Sequence, residues 1–91
     1  MESKLSIERR PDVERRCGWA TSTLYERIKQ GLFPAPLKLS RRSVGWLAHE
    51  TDAVLRARMR GVDDAGIKLL VSDLIAARNA DVTADAAAIE G

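Results

Sequence analysis

The 91-residue chain has one cysteine, one histidine, three prolines and four aromatic side chains. Each shortage excludes something. Cys17 alone cannot close an internal disulfide, which points to a reducing compartment. His49 alone cannot build a two-histidine metal site. The segment His49-Glu50-Thr51-Asp52-Ala53 opens like a helical zinc signature, but Ala53 stands where the second histidine is needed. Gly61 and Gly66 have the spacing of a phosphate-binding loop, yet Ile67 occupies the place of its lysine and no strand pattern precedes it. No catalytic residue, metal ligand or cofactor-binding residue is singled out, so a binding module without cofactor is expected and not an enzyme. No apolar run exceeds four residues, which argues against a membrane span and a membrane partner. The charged start Met1-Glu2-Ser3-Lys4 does not resemble a signal peptide, and the cytoplasm is the expected location.

What is present is a hydrophobic content of 45%, enough to expect a folded core, and an uneven charge. The formal net charge is only +2, but residues 1–60 hold 13 basic and 7 acidic side chains, whereas residues 61–91 hold 2 and 6. A basic body joined to an acidic segment suggests an anionic partner for the body.

Residues 1–8 read as a short flexible arm in which only Leu5 and Ile7 have reason to dock. Pro11 suits the first turn of a helix, with Asp12 and Glu14 favourable against its dipole. Val13 and Cys17 share its inner face, and Gly18 supplies a left-handed stop. The spacing predicts a first helix over Pro11–Cys17. A second follows within a few residues, because Thr21, Ser22 and Thr23 are all good caps and Thr23 with Glu26 fits a capping box. Leu24 and Ile28 define its inner face. Ser22, Thr23, Glu26, Lys29 and Gln30 lie opposite, with Tyr25 and Arg27 on the flanks. Gly31 ends it. Two short helices joined by a glycine-containing turn form the helix-turn-helix pattern.

Phe33-Pro34-Ala35-Pro36 cannot be helical. Leu37-Lys38-Leu39 and Val44-Gly45-Trp46 then alternate as short strands across Ser40-Arg41-Arg42-Ser43, giving a β-hairpin with two arginines at its tip, in the place of a wing. Leu47, Thr51, Val54, Leu55 and Met59 predict a third helix over Leu47–Arg60, with Arg56, Arg58 and Arg60 matching the dipole at its end. Ile67, Leu70, Val71, Leu74 and Ile75 form a regular apolar stripe, which predicts a fourth amphipathic helix over Asp64–Arg78. Residues 79–91 are expected to be mobile. The domain reading is therefore an arm (1–8), a winged helix-turn-helix (9–60), an amphipathic helix (61–78) and a tail (79–91). The fold class is mainly α with a small β-hairpin.

Arg9–Arg60 resembles the AlpA family of phage and prophage regulators, small winged-helix proteins related to MerR-type and excisionase DNA-binding domains. The resemblance is carried by Val13, Gly18, Ser22-Thr23-Leu24-Tyr25, Gly31 and Phe33-Pro34-Ala35-Pro36. It continues through Lys38-Leu39 and Arg42-Ser43-Val44-Gly45-Trp46-Leu47 to Glu50. The run from Phe33 to Trp46 is the specific part. The chain departs from the family where Ala20 replaces a common serine, which shifts the expected cap to Thr21. It departs again where Glu26 replaces a frequent basic residue and where Val54 replaces a frequent tryptophan.

The resemblance implies a regulator that binds specific sequences of double-stranded DNA. The second helix would enter the major groove with Thr21, Ser22, Thr23, Tyr25, Glu26, Arg27 and Lys29 facing bases or phosphates. Glu26 would accept a hydrogen bond from a cytosine amino group. Arg41 and Arg42, helped by Lys38 and Ser43, would reach the backbone or the adjacent minor groove. Trp19 and Trp46 are expected in the core. Two alternatives stay open: an excisionase-like protein that bends DNA beside an integrase, and a protein-interaction module. In the second, the stripe Ile67, Leu70, Val71, Leu74 and Ile75 would pair two copies or bind another protein, unless it packs on its own body.

Overall fold

The computed structural model describes the backbone of residues 5–90 and the side chains of residues 5–80. Its elements run β1 (Ile7–Glu8), α1 (Arg10–Cys17), α2 (Thr21–Lys29), β2 (Leu37–Lys38), β3 (Val44–Leu47), α3 (Ala48–Met59) and α4 (Asp64–Glu90). This mainly helical chain with a small antiparallel sheet has the winged helix-turn-helix arrangement expected from its sequence.

Helix α1 starts one residue earlier than Pro11, which sits in its first turn, where a missing N–H leaves no bond unmade. Gly18 ends it at φ 72°, in the left-handed region that a side chain would resist, and its N–H donates to the Glu14 carbonyl at 2.8 Å. The Trp19 N–H donates to the same carbonyl at 3.0 Å, so the turn into α2 is closed by one acceptor. The expected cap Thr21 is instead the first helical residue, while Ala20 holds the cap position and makes no side-chain cap bond. The reason lies across the turn. The Thr21 hydroxyl donates to Glu14 Oε2 at 2.6 Å and accepts from Arg10 Nη1 at 2.8 Å, so it is held against α1 and does not face the amides of its own helix.

The hairpin forms as its alternation indicates, with Leu37 opposite Gly45 and Lys38 opposite Val44. Its tip is closed by the Ser43 carbonyl, which accepts from Leu39 N–H at 2.8 Å and Ser40 N–H at 3.2 Å. A third strand was not legible in the arm. Ile7 and Glu8 are not loose but pair with Leu47 and Trp46, giving the sheet order β1-β3-β2. Gly45 permits this crowding. A Cβ there would lie 2.6 Å from Ile7 Cγ2 and 3.2 Å from the Glu8 carbonyl oxygen. Arg16 then ties strand to helices by bridging Glu8 of β1 and Asp52 of α3. Residues 1–4 of the expected arm lie outside the described residues.

Val13, Leu24, Phe33, Trp46, Val54 and Ile67 close the core, drawing on α1, α2, β3, α3, α4 and the segment before β2. Trp46 is buried and its Nε1 donates to the Pro34 carbonyl at 3.0 Å, which satisfies the indole within an apolar site. Trp19 is only half-buried and meets the Phe33 ring edge-on at 5.5 Å. Burial pushes the Cys17 thiol up to about 11, so it is a neutral thiol at physiological pH.

Helix α3 buries Thr51 and Val54 as its spacing indicates and leaves Leu47 and Leu55 half-buried, but its inner face also takes in Glu50 and Ala57. Glu50, Thr51, Val54 and Ala57 are buried, while Met59 in the last turn is 84% exposed. Met59 lies on the side of the last turn opposite the buried Ala57, where nothing covers it among the described residues. In α4 the stripe is committed to its own body. Ile67 and Val71 are buried, and Leu70, Leu74 and Ile75 pack against the core. Leu70, Leu74 and Ile75 keep part of their surface exposed. Helix α4 extends to Glu90, past the expected end at Arg78. The tail expectation for residues 79–91 falls, for side chains from residue 81 onward, outside the described residues. Among the described residues no helix is long and apolar enough to cross a membrane.

Candidate nucleic-acid interface

Two regions place polar side chains at the surface in the pattern of a helix-turn-helix with a wing. The first is the outer face of α2, where Thr21, Ser22, Tyr25, Glu26, Lys29 and Gln30 are exposed. Leu24 is fully buried beneath them. Its burial fixes the rotation of the helix, so the exposed row follows from the apolar one. Ser22, Thr23, Glu26 and Arg27 line a shallow open depression on this face.

Several of these groups are already engaged. Thr21 is held to α1 as described above, and the Thr21 hydroxyl and the Arg10 guanidinium together hold the Glu14 carboxyl below its ordinary range. The Gln30 side-chain amide donates to Glu26 Oε2 at 3.1 Å, while Arg27 Nη1 donates to Gln30 Oε1 at 3.3 Å. The resulting chain, Arg27 to Gln30 to Glu26, runs along one side of the helix. Arg27 is half-buried and lies over the Trp19 ring, 5.9 Å from its centre. Thr23 is also half-buried. Of the seven α2 residues expected to face DNA, Ser22, Tyr25, Glu26 and Lys29 are exposed, Thr21 is exposed but bonded to α1, and Thr23 and Arg27 are half-buried.

The second region is the hairpin tip. Arg41 and Arg42 are exposed and make no ion pair among the described residues. Lys38 is exposed beside them on β2. Ser43 is half-buried and acts through its backbone, closing the turn that presents the two arginines. The arginines of α1 contrast with them: Arg10, Arg15 and Arg16 are each paired with a carboxylate. At the end of α3, Arg58 pairs with Asp64 at 3.0 Å. Lys29, Arg56, Arg60 and Lys68 are likewise exposed and outside any ion pair among the described residues, so the hairpin tip differs from them in presenting two adjacent guanidinium groups on one turn.

Sequence reasoning missed Gln30, Glu14 and Arg10 as partners of the α2 face. The spacings Glu26–Gln30 and Arg27–Gln30, four and three residues on one helix, carried that signal. The bond from Arg10 to Thr21 spans the turn and had no such local signature. Among the described residues, no group of three or more histidine, cysteine, aspartate or glutamate side chains is placed to hold a metal.

Comparison with known proteins bears on these two regions together. The sequence profile of the prophage CP4-57 regulatory protein (AlpA) family matches residues 6–59, from the start of the sheet to the end of α3. The chain is also similar to the uncharacterized protein ORF88 of Enterobacteria phage P4, with 40% identity over 51 residues. That stretch is 56% of this chain and 58% of the relative, so the chain spans less than two thirds of that protein's length. No solved structure matches the chain. Helix α4 lies beyond the family match even though its side chains complete the core.

Proposed function

Since this chain belongs to the family of prophage CP4-57 regulatory proteins (AlpA), we propose that it is a sequence-specific double-stranded DNA-binding regulator of prophage or mobile-element genes. In this reading it acts in the cytoplasm without a cofactor or catalytic step. Helix α2 enters the major groove, where Ser22, Glu26 and Lys29 address base edges and phosphates, and Tyr25 places its hydroxyl on the backbone. Held by Gln30, Glu26 offers a hydrogen-bond acceptor, which suits the amino group of cytosine. Arg41, Arg42 and Lys38 engage the phosphates or the minor groove beside that site.

The observation that carries this reading is the pairing of two exposed arginines at the hairpin tip, outside any ion pair among the described residues, with an exposed polar α2 face, both inside the family match. Selection of bound sites from a random duplex pool tests it. A single enriched motif with at least one position restricted to a G·C pair is expected, whereas recovery of no motif, with no shift of any duplex at low salt, would remove the DNA-binding reading. Footprinting of a promoter against an attachment site then separates gene regulation from action beside an integrase.

A further inference from the structure

One side chain beyond the family match reaches back into the part that the family shares. Arg78 of α4 has only 12% of its side chain exposed. Its guanidinium binds both carboxylate oxygens of Glu50 in the first turn of α3, with Nε 3.2 Å from Oε2 and Nη2 against Oε1. The same Nη2 donates to the Ala35 carbonyl at 3.0 Å. Glu50 is itself 1% exposed, and among the described residues Arg78 is the partner of its carboxylate.

Ala35 belongs to the Phe33-Pro34-Ala35-Pro36 segment that carries the chain from α2 into β2. Pro34 and Pro36 have no N–H, so this segment can be tied down mainly through its carbonyls. Two successive carbonyls are held: Pro34 by the Trp46 indole of β3, and Ala35 by Arg78. The hairpin thus leaves the body from a base fixed on one side by its own second strand and on the other by α4.

We propose that Arg78 is a positioning residue for the wing, and that α4 is part of the DNA-binding unit because it sets the direction in which Arg41 and Arg42 are presented. This rests on the reading that the wing touches DNA. The forked guanidinium suits the task, since it can hold a carboxylate and a carbonyl at once in a fixed geometry.

Removing Arg78 alone would leave the Glu50 carboxylate buried and unpaired, which risks unfolding. The informative variant is therefore R78M/E50M, in which apolar side chains of similar length replace the whole ion pair. Such replacements often preserve stability, but this one deletes the bond to Ala35. Binding to a short duplex is measured across salt for the parent, R41A/R42A, R78M/E50M and the four-fold combination, with thermal unfolding followed by circular dichroism. R78M/E50M is expected to keep the parent's unfolding midpoint within a few degrees. Its affinity near 0.1 M salt falls about tenfold, and its slope of log K against log salt flattens towards that of R41A/R42A. The combination should lose little more than R41A/R42A alone, because both changes act on the same contacts. R78K, which keeps a cation near Glu50 but not the fork, carries the same expectation should R78M/E50M fail to fold. A parental affinity and slope in the folded variant, or a loss that adds in full to that of R41A/R42A, overturns the proposal. If R41A/R42A itself leaves the slope unchanged, the reading of the wing as a DNA contact fails instead.

Discussion

On α2 three of the side chains expected to face DNA, Thr21, Glu26 and Arg27, are hydrogen-bonded to α1 or to Gln30, whereas at the hairpin tip Arg41 and Arg42 make no ion pair among the described residues. Gln30 holds Glu26, Arg27 holds Gln30, and Thr21 is clasped between Glu14 and Arg10. Arg41 and Arg42 stand on a five-residue connection between strands only two and four residues long. The difference matches two tasks in recognition. A face whose acceptors and donors are already oriented loses little conformational freedom on binding, and it can discriminate between bases. Two free guanidinium groups suit phosphates, which are alike at every sequence, and in the proposed complex they would contribute affinity that falls with salt.

That contrast can be broken by changing one region at a time. The largest effect is expected from R41A/R42A. Each lost phosphate contact should flatten the slope of log K against log salt by about 0.9, so the pair removes about 1.8. Specific and random duplexes should weaken alike in a titration followed by anisotropy. Glu26→Gln should act in the opposite sense. It leaves the salt slope near that of the parent but changes base preference at one position by about 1–3 kcal/mol, read from competition between duplexes that differ at that base pair. Gln30→Ala comes next: the Glu26 carboxylate loses its tether, and discrimination at the same position drops a few-fold while the helix content is retained.

The smallest effect belongs to Thr21→Val, which tests the anchor between α1 and α2 and leaves Ser22, Tyr25, Glu26 and Lys29 of the exposed row in place. The folded protein holds the Glu14 carboxyl below its ordinary pKa, through the Thr21 hydroxyl first and Arg10 second. A lowered folded-state pKa means that this contribution to stability is fully present above the ordinary carboxylate range and fades as pH falls through the lowered value. Thr21→Val should therefore melt slightly below the parent at neutral pH, and the gap should close on acidification. A gap that persists or widens at acid pH would remove the carboxylate from the explanation.

The helix order and the hairpin were legible because their signals are local. Gly18 marks the turn, Leu24 and Ile28 mark the inner face of α2, and the prolines around Ala35 mark where helix gives way to strand. What was not legible is non-local. The pairing of Ile7 and Glu8 with β3 joins segments about forty residues apart, and two residues of alternation are too few to announce a strand. Thr51 and Val54 of the buried face of α3 were legible, but Glu50 was not, for a related reason. Apolar side chains favour interiors, but Glu50 is buried because Arg78 arrives from 28 residues further along the chain. The candidate interface was read at the level of its elements. The capping of α2 was not, because the hydroxyl of Thr21 is drawn to Glu14 and Arg10, leaving Ala20 at the cap.

The central claim is that α2 reads bases while the wing holds the backbone beside them. Its most direct test is a pair of interference footprints on a selected duplex, one of phosphate ethylation and one of base methylation, with the parent and with R41A/R42A. The account predicts that the parent shows major-groove base contacts flanked by phosphate contacts, and that R41A/R42A loses the flanking phosphates while the base contacts remain. An unchanged phosphate pattern in R41A/R42A, or the loss of base and phosphate contacts together, would contradict it.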